Sequence, residues 1–324
     1  MALTWEELES VTDDYFMADN RKAIDIYFNT SYLLTYLLKQ QKGIWERPDG
    51  GEKIRIPLEY DGQEAEFYSR GDTISSDDRE SVNSAYFDWK HAVGNATIYR
   101  IDTLKNSGRY AEVSLVAQRT AGAQKSLTKL LAGSIYDAAG GDIKRLTGLR
   151  SCCNETSTTA YGGIAEDDLV AADGTKPWEG KMTATVEAIS LNVIRTMATN
   201  AKLRDGANGK PNLVVMPETL WNVIADILQA QQRFVDSKET ANAGFTGLKF
   251  EGKDLFPDDY CPSGYAFALN SAHIGFAVHQ KGNFMRAPWK VIPDSPEDKT
   301  MKIYFDGNQV VNNRKAHQGH SNLS

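Results

Sequence analysis

The sequence predicts an α+β fold that combines a projecting extended β-hairpin, a long helix and an α/β region. Three observations carry this expectation. First, Ile54, Ile56, Leu58 and Tyr60 alternate onto one face, and Asp61-Gly62 follows at once, a strong hairpin signal. Second, Tyr110 to about Ala138 sets Val113, Val116, Ala123, Leu127, Leu130 and Ile135 at helical spacing, which predicts a helix on the order of 40 Å long. Third, Leu213-Val214-Val215-Met216 is a short, wholly apolar run, the pattern of a strand buried on both faces.

The remaining elements follow in chain order. Residues 1–42 read as an N-terminal arm, with a helix from Arg21 to about Lys42 capped by Asp19 or Asn20 and stopped by Gly43. In residues 43–85 a partner strand, Gln63 to Ser69, is expected to return from Asp61-Gly62 with Ala65 and Phe67 on one side. Residues 51–80 hold nine carboxylates against four Lys or Arg. A lone two-stranded ribbon is marginal in water, so its apolar face needs another surface. Ile54, Ile56, Leu58, Tyr60 and Phe67 are therefore the expected contacts with a neighbouring subunit.

Tyr86 to Leu104 reads as extended, and Asn106-Ser107-Gly108 breaks the chain before the long helix. A helix is expected from about Thr183 to Lys202, and another opens at Pro217-Glu218 and runs to about Phe234. Asp259 to Asn270 and Ile274 to His279 read as strands. Met301 to Phe305 and Gln309 to Lys315 form a last pair around an Asp306-Gly307-Asn308 turn.

Composition narrows the function classes. The chain has 324 residues and a formal net charge of −7. Gripping nucleic acid needs a basic face to release counterions, so this balance speaks against a dedicated nucleic-acid binder. An acidic wall would instead let a duplex slide past. Three cysteines form no even framework and fit a reducing compartment. The apolar stretch Tyr32 to Leu38 falls far below the ~20 residues of a membrane span. Residues 1–20 carry six acidic residues and no basic one, the reverse of a secretory signal.

Candidate chemistry is thin. Cys152-Cys153 has no histidine after it until His273, so buried structural thiols are expected. His317 and His320 offer too few donors for a metal and read as part of a solvated tail. Asp258-Asp259 reads as turn capping, and Trp89 and Trp289 as core or interface anchors. No catalytic residue, cofactor site or metal site is expected.

The order of parts resembles the Hong Kong 97-type (HK97-type) fold of tailed-phage major capsid proteins. Ile54-Arg55-Ile56-Pro57-Leu58 looks like that family's outgoing hairpin strand, and Ala85-Tyr86-Phe87-Asp88-Trp89-Lys90 like the return. Tyr161-Gly162-Gly163-Ile164 is similar to its Gly-Gly turn. Gln232-Arg233-Phe234, Gly244-Phe245 and Gly247-Leu248-Lys249-Phe250 continue the likeness, and Asp258-Asp259-Tyr260 with Pro262-Ser263-Gly264-Tyr265 and Leu269-Asn270 is its strongest tract. The likeness covers roughly residues 40 to 324.

The resemblance implies an N-arm (1–42), an extended β-hairpin loop or E-loop (43–85), a peripheral domain with strand and long spine helix (86–148), an axial domain with a central mixed sheet flanked by helices (149–284), and a return to the peripheral domain with C-terminal strands (285–324). It further implies a non-enzymatic shell subunit that assembles through hexamers and pentamers around double-stranded DNA, held by weak non-specific contact. The implied location is the virion, after assembly in the bacterial host cytoplasm. A spine helix starting near residue 109 leaves no room for a fused scaffolding segment, so a separate scaffolding protein is expected, with a portal and a decoration protein as further partners. The alternatives are an encapsulin-type nanocompartment or gene-transfer-agent shell of the same fold, and, more remotely, a cytosolic α/β thiol enzyme.

Overall fold

The computed structural model describes residues 31–40, 45–46, 48–62, 67–73, 81–105, 109–138, 142–154, 160–171, 173–201, 203, 209–229, 248–293 and 295–324. The arm before Ser31, Gln63 to Glu66, Asn106-Ser107-Gly108, Gln232-Arg233-Phe234 and Gly244 to Gly247 lie outside them. The chain begins with α1 (Tyr32–Gln40), β1 (Trp45–Glu46), β2 (Lys53–Glu59), β3 (Val82–Asp88) and β4 (Lys90–Ile98). Next come α2 (Arg100–Lys105), α3 (Arg109–Ser134), α4 (Leu149–Cys152), β5 (Met182–Thr183), α5 (Leu191–Asn200), β6 (Leu213–Met216) and α6 (Glu218–Gln229). The remainder is strand: β7 (Leu248–Phe250), β8 (Lys253–Pro257), β9 (Ala266–Leu269), β10 (Ile274–Val278), β11 (Met285–Arg286), β12 (Lys290–Ile292), β13 (Ser295–Val311) and β14 (Gln318–His320).

The first sheet is organised by β13. It pairs antiparallel with β4 from Lys90↔Gly307 to Ile98↔Lys299, and with β10 from Val278↔Gly307 to Ile274↔Val311. Strands β11 and β12 also pair with β13, and β1 runs parallel to β10. The expected Asp306-Gly307-Asn308 turn is absent. These residues sit inside one 17-residue strand. A Cβ on Gly307 would lie 2.7 Å from the Ala277 carbonyl oxygen, so glycine serves a close strand approach here. Asn308 is fully buried, donating through Nδ2 to the Asp88 carbonyl at 2.9 Å and accepting from the Thr147 amide at 2.9 Å.

The long helix α3 packs on this sheet. Its 26 residues span about 39 Å at 1.5 Å per residue. Val116, Ala123, Leu127 and Leu131 are buried, as are Ala96 and Ile98 of β4 and Met301, Ile303 and Phe305 of β13. Leu130, expected on the core face, is exposed, because Leu131 takes the buried position after Leu127. The extended stretch expected to reach Leu104 ends at Ile98. Asp298 accepts the Arg100 amide at 2.9 Å and Glu297 pairs with its guanidinium, turning the chain into α2.

The second sheet has the order β5-β14-β9-β6-β8-β7. All four β6 residues are fully buried, as an apolar strand covered on both faces should be. Val214 and Met216 join Ile194 and Met197 of α5 and Leu220 and Ile224 of α6 in the buried apolar set on one side, while Leu213 and Val215 belong to the main core. The helix expected from Thr183 starts only at Leu191, where the Ser190 hydroxyl accepts the Val193 amide. The preceding residues are committed to extended pairing: β5 with β14, Glu187 with Leu323, and the Ile189 amide to the Ser324 carbonyl. Tertiary pairing overrides local helical spacing there.

Strand β10 lies in the first sheet and β14 in the second. One further expectation is corrected. His317 and His320 are not in a solvated tail: both are buried, and His320 Nε2 lies 2.7 Å from Glu187. The Pro262–Tyr265 turn does deliver β9, closed by the Tyr265 amide on the Pro262 carbonyl. Helix α1 begins after Ser31, so the run expected from Arg21 does not continue through that residue. Asp258, 227 residues away, accepts the Ser31 hydroxyl at 2.8 Å and the Leu33 amide at 3.1 Å, and its other oxygen takes the Tyr260 amide. Burial nevertheless pushes the Asp258 carboxyl above its ordinary range.

Burial drives His317 down to a pKa of about 3, with its Nδ1 accepting the Asn270 amide. Its folded value lies below the unfolded value near 6.5, so the unfolded chain binds the extra proton first and stability falls as pH drops below about 6.5. By pH 4.5 this contribution reaches on the order of 2–3 kcal/mol. Urea midpoints measured between pH 7 and 4.5 should fall less steeply for His317→Asn than for the unaltered chain, with Asp258 common to both.

Candidate functional site

The hairpin is the element that sets this chain apart from an ordinary two-sheet protein. Strand β2 pairs antiparallel with β3 along its whole length, from Lys53↔Asp88 to Glu59↔Val82. The Tyr60 amide donates to the Ser81 carbonyl at 2.9 Å and extends the closure by one residue. Asp61-Gly62 is therefore the start of a long connection and not a tight turn. The partner of β2 is β3; of the expected return strand, Gln63 to Glu66 lie outside the described residues and Phe67 to Ser69 form no strand. Matching chemistry explains the choice: Ile54 meets Phe87 and Ile56 meets Ala85 on the inner face, whereas Gln63 to Ser69 would offer only Ala65 and Phe67.

The hairpin stem has a seat in its own chain. Ile54, Ile56, Leu58, Ala85 and Phe87 are buried and belong to the main core. Phe87 meets the Tyr161 ring edge-on at 5.2 Å, and the Tyr86 amide donates to the Gly162 carbonyl at 2.8 Å. Gly162 has φ +62°, and a Cβ there would stand 2.9 Å from the Ala85 Cβ and 3.0 Å from Phe87 Cζ. Only a residue without a side chain fits this position comfortably. At roughly 1.5–3 kcal/mol per fully buried apolar side chain, the seat outweighs ion pairs such as Lys53–Asp88, which is exposed and worth ~0–1 kcal/mol.

Ile54, Ile56 and Leu58, expected as contacts with a neighbour, are buried within their own chain. Tyr60 is half-buried against the same core. Phe67, in contrast, is fully exposed, and Tyr68 is 70 % and Val82 56 % exposed.

Beneath the seat lies a buried charged group. Arg314 is fully buried. Its Nε donates to the Cys152 carbonyl at 2.8 Å, Nη1 to the Trp178 carbonyl at 2.8 Å and Nη2 to the Asn154 carbonyl at 3.0 Å. Glu166 supplies the countercharge at 3.3 Å and accepts the Gly180 amide, and the guanidinium lies 5.3 Å from the centre of the Tyr161 ring. Nothing local marks Arg314 as buried; its partners come from 136 to 162 residues away.

The thiols sit in the same interior. Cys152, Cys153 and Cys261 are all buried and unpaired. Burial pushes the Cys261 thiol up. For Cys152 burial acts in the same sense, but the Cys153 hydrogen bond and the Arg314 charge outweigh it and the net direction is down. Among the described residues no group of three or more His, Cys, Asp or Glu is placed to hold a metal, and no helix is long and apolar enough to cross a membrane. Trp89 is half-buried, donating to the Gly51 carbonyl at 2.9 Å and packing edge-on with His279.

Two substitutions test the seat. Arg314→Met removes one partner of a buried pair and should cost about 3–5 kcal/mol, read as a shift in urea midpoint. Gly162→Ala should cost about 1–3 kcal/mol by overpacking and raise amide exchange across Lys53–Glu59 and Val82–Asp88, leaving β6 protected.

No protein-family model matches the chain, and no curated protein matches it. Solved structures do. The capsid asymmetric unit of cyanophage A-1(L) matches at TM-score 0.66 and 13% identity, over 86% of this chain and 90% of that one. The capsid of a native GTA particle matches at TM-score 0.59 and 13% identity, over 88% and 89%. The holo-SrpI encapsulin complex of Synechococcus elongatus PCC 7942 matches at TM-score 0.51 and 7% identity, over 89% and 87%. The chain has the HK97-type capsid fold.

Proposed function

We propose that this chain is a major capsid protein of a tailed phage, a structural subunit that assembles through hexamers and pentamers into an icosahedral shell around double-stranded DNA. One observation carries the reading: over 86% of its length the chain shares the fold of a cyanophage capsid subunit. The hairpin supports it physically. A stem fixed by the chain's own core with an acidic, aromatic end left in solvent suits a contact made between copies. The buried thiols favour a structural role over thiol chemistry. A separate scaffolding protein, a portal and a decoration protein would complete the particle in the host cytoplasm, and the acidic balance of the chain suits weak, sliding contact with packaged DNA.

A second reading keeps the shell and changes the cargo. The GTA and encapsulin structures match over similar shares of the chain, which favours a gene-transfer-agent shell or protein-filled nanocompartment as the alternative. Negative-stain microscopy of the purified protein tests the shared claim, with closed shells or capsomer rings expected and monodisperse monomers overturning it. Nuclease-protected DNA in particles from the native source supports the phage reading, whereas particles filled with one co-purifying protein overturn it in favour of a nanocompartment.

A further inference from the structure

The side of α3 turned away from the sheet carries charge of one sign. The helix holds no carboxylate after Glu112, in a chain whose net charge is −7. Val116, Ala123, Leu127 and Leu131 are buried, and Arg119, Gly122, Lys125, Ser126 and Lys129 are exposed on the opposite side. Among the described residues Lys125 and Lys129 have no carboxylate partner, and Arg119 reaches only Asp102, at 3.4 Å in an exposed pair. Lys125 and Lys129 stand four residues apart, so two like charges lie one helical turn from each other. That arrangement weakens a helix, and an anion laid over both removes the repulsion. The surface around them is open: a Cβ on Gly122 or Gly133 would meet nothing within 4 Å. Leu130 is the one large apolar side chain exposed among the described residues of this helix.

The far side of the same sheet has different chemistry. Tyr304 is paired with Val93 on one strand and Met285 on another, and all three are exposed. An apolar row across three strands, with the exposed Lys302 and Lys290 further along it, suits a protein surface. Phosphates call for cations without that apolar row. Residues 51–80, with nine carboxylates against four Lys or Arg, repel a polyanion.

We propose that the exposed side of α3 is where this chain meets double-stranded DNA, with Lys125 and Lys129 on phosphates of one strand and Arg119 on a further phosphate. The inference rests on the shell-subunit reading and assigns the DNA-facing side of the subunit. At 1.5 Å per residue the two lysines lie about 6 Å apart along the helix axis, and each strand of a duplex presents a charge every ~3.4 Å. Both can therefore be met along one strand. Nothing on this surface reads bases, so the contact is independent of sequence, and with so few cations it is weak for each copy.

The test uses the unassembled full chain and a mixed-sequence duplex of about 30 base pairs, titrated between about 50 and 200 mM salt. Each phosphate contact contributes roughly −0.9 to the slope of log affinity against log salt, so a slope near −3 is expected. Lys125→Gln with Lys129→Gln should reduce its magnitude by about two and lower the affinity at the lowest salt at least tenfold. Lys290→Gln with Lys302→Gln removes the same charge from the far side and should leave the affinity within twofold. Urea midpoints check that both variants are folded; if the helix pair is not, Lys125→Gln alone should reduce the slope by about one. An unchanged slope in the helix variants, or equal losses in both pairs, overturns the contact. Duplex binding that is unaltered while the yield of shells falls also overturns it, in favour of an acidic protein on this surface. An unaltered chain that binds the duplex as expected but forms no shells under the microscope overturns the shell reading instead.

Discussion

A single buried guanidinium holds the parts of this molecule in relation. Arg314 leaves β13 as the chain crosses from the first sheet to the second, and its donors capture carbonyls on either side of the Cys153 turn and after Trp178. It carries Tyr161 on its face, Tyr161 carries Phe87, and Phe87 belongs to the hairpin. A guanidinium suits this position because its planar fork serves several carbonyls at once while remaining charged. Glu166 answers the charge without exposure to solvent. Burying such a pair is expensive, and its return is one defined geometry.

Much of the architecture was legible from local pattern, and the failures share a cause. The long helix, the all-apolar β6 and the Pro262–Tyr265 turn depend on residues near one another in sequence, and each formed close to its expected place. Both Asp-Gly pairs misled. Asp61-Gly62 opens a long connection because β3 offers the better apolar partner for β2. Gly307 lies mid-strand because the Ala277 carbonyl comes too close for any side chain. A dipeptide signals which backbone shapes are allowed; which of them is used depends on what arrives from elsewhere in the chain.

The same limit governed the candidate site. Alternation in Ile54, Ile56 and Leu58 correctly marks a buried face, but not whose surface buries it. The receiving turn at Tyr161 lies about a hundred residues on, and its glycine is interpretable only with Phe87 against it. Asp258 looked like turn capping, and Arg314 gave no sign of burial, because their long-range partners are invisible locally. Phe67, grouped with the stem by spacing, proves to be its opposite in exposure. The hairpin thus has a seated stem, with Phe67 and Tyr68 beyond it exposed.

Strand β13 carries one more consequence. It runs 17 residues with neighbours on both sides, then continues within a few residues into the second sheet. Tension applied along it is opposed in shear, by many ladder bonds at once, whereas a pull across it would peel them one at a time. The segment that runs from β13 into β14 therefore joins the two sheets along the direction in which the β13 ladder resists best.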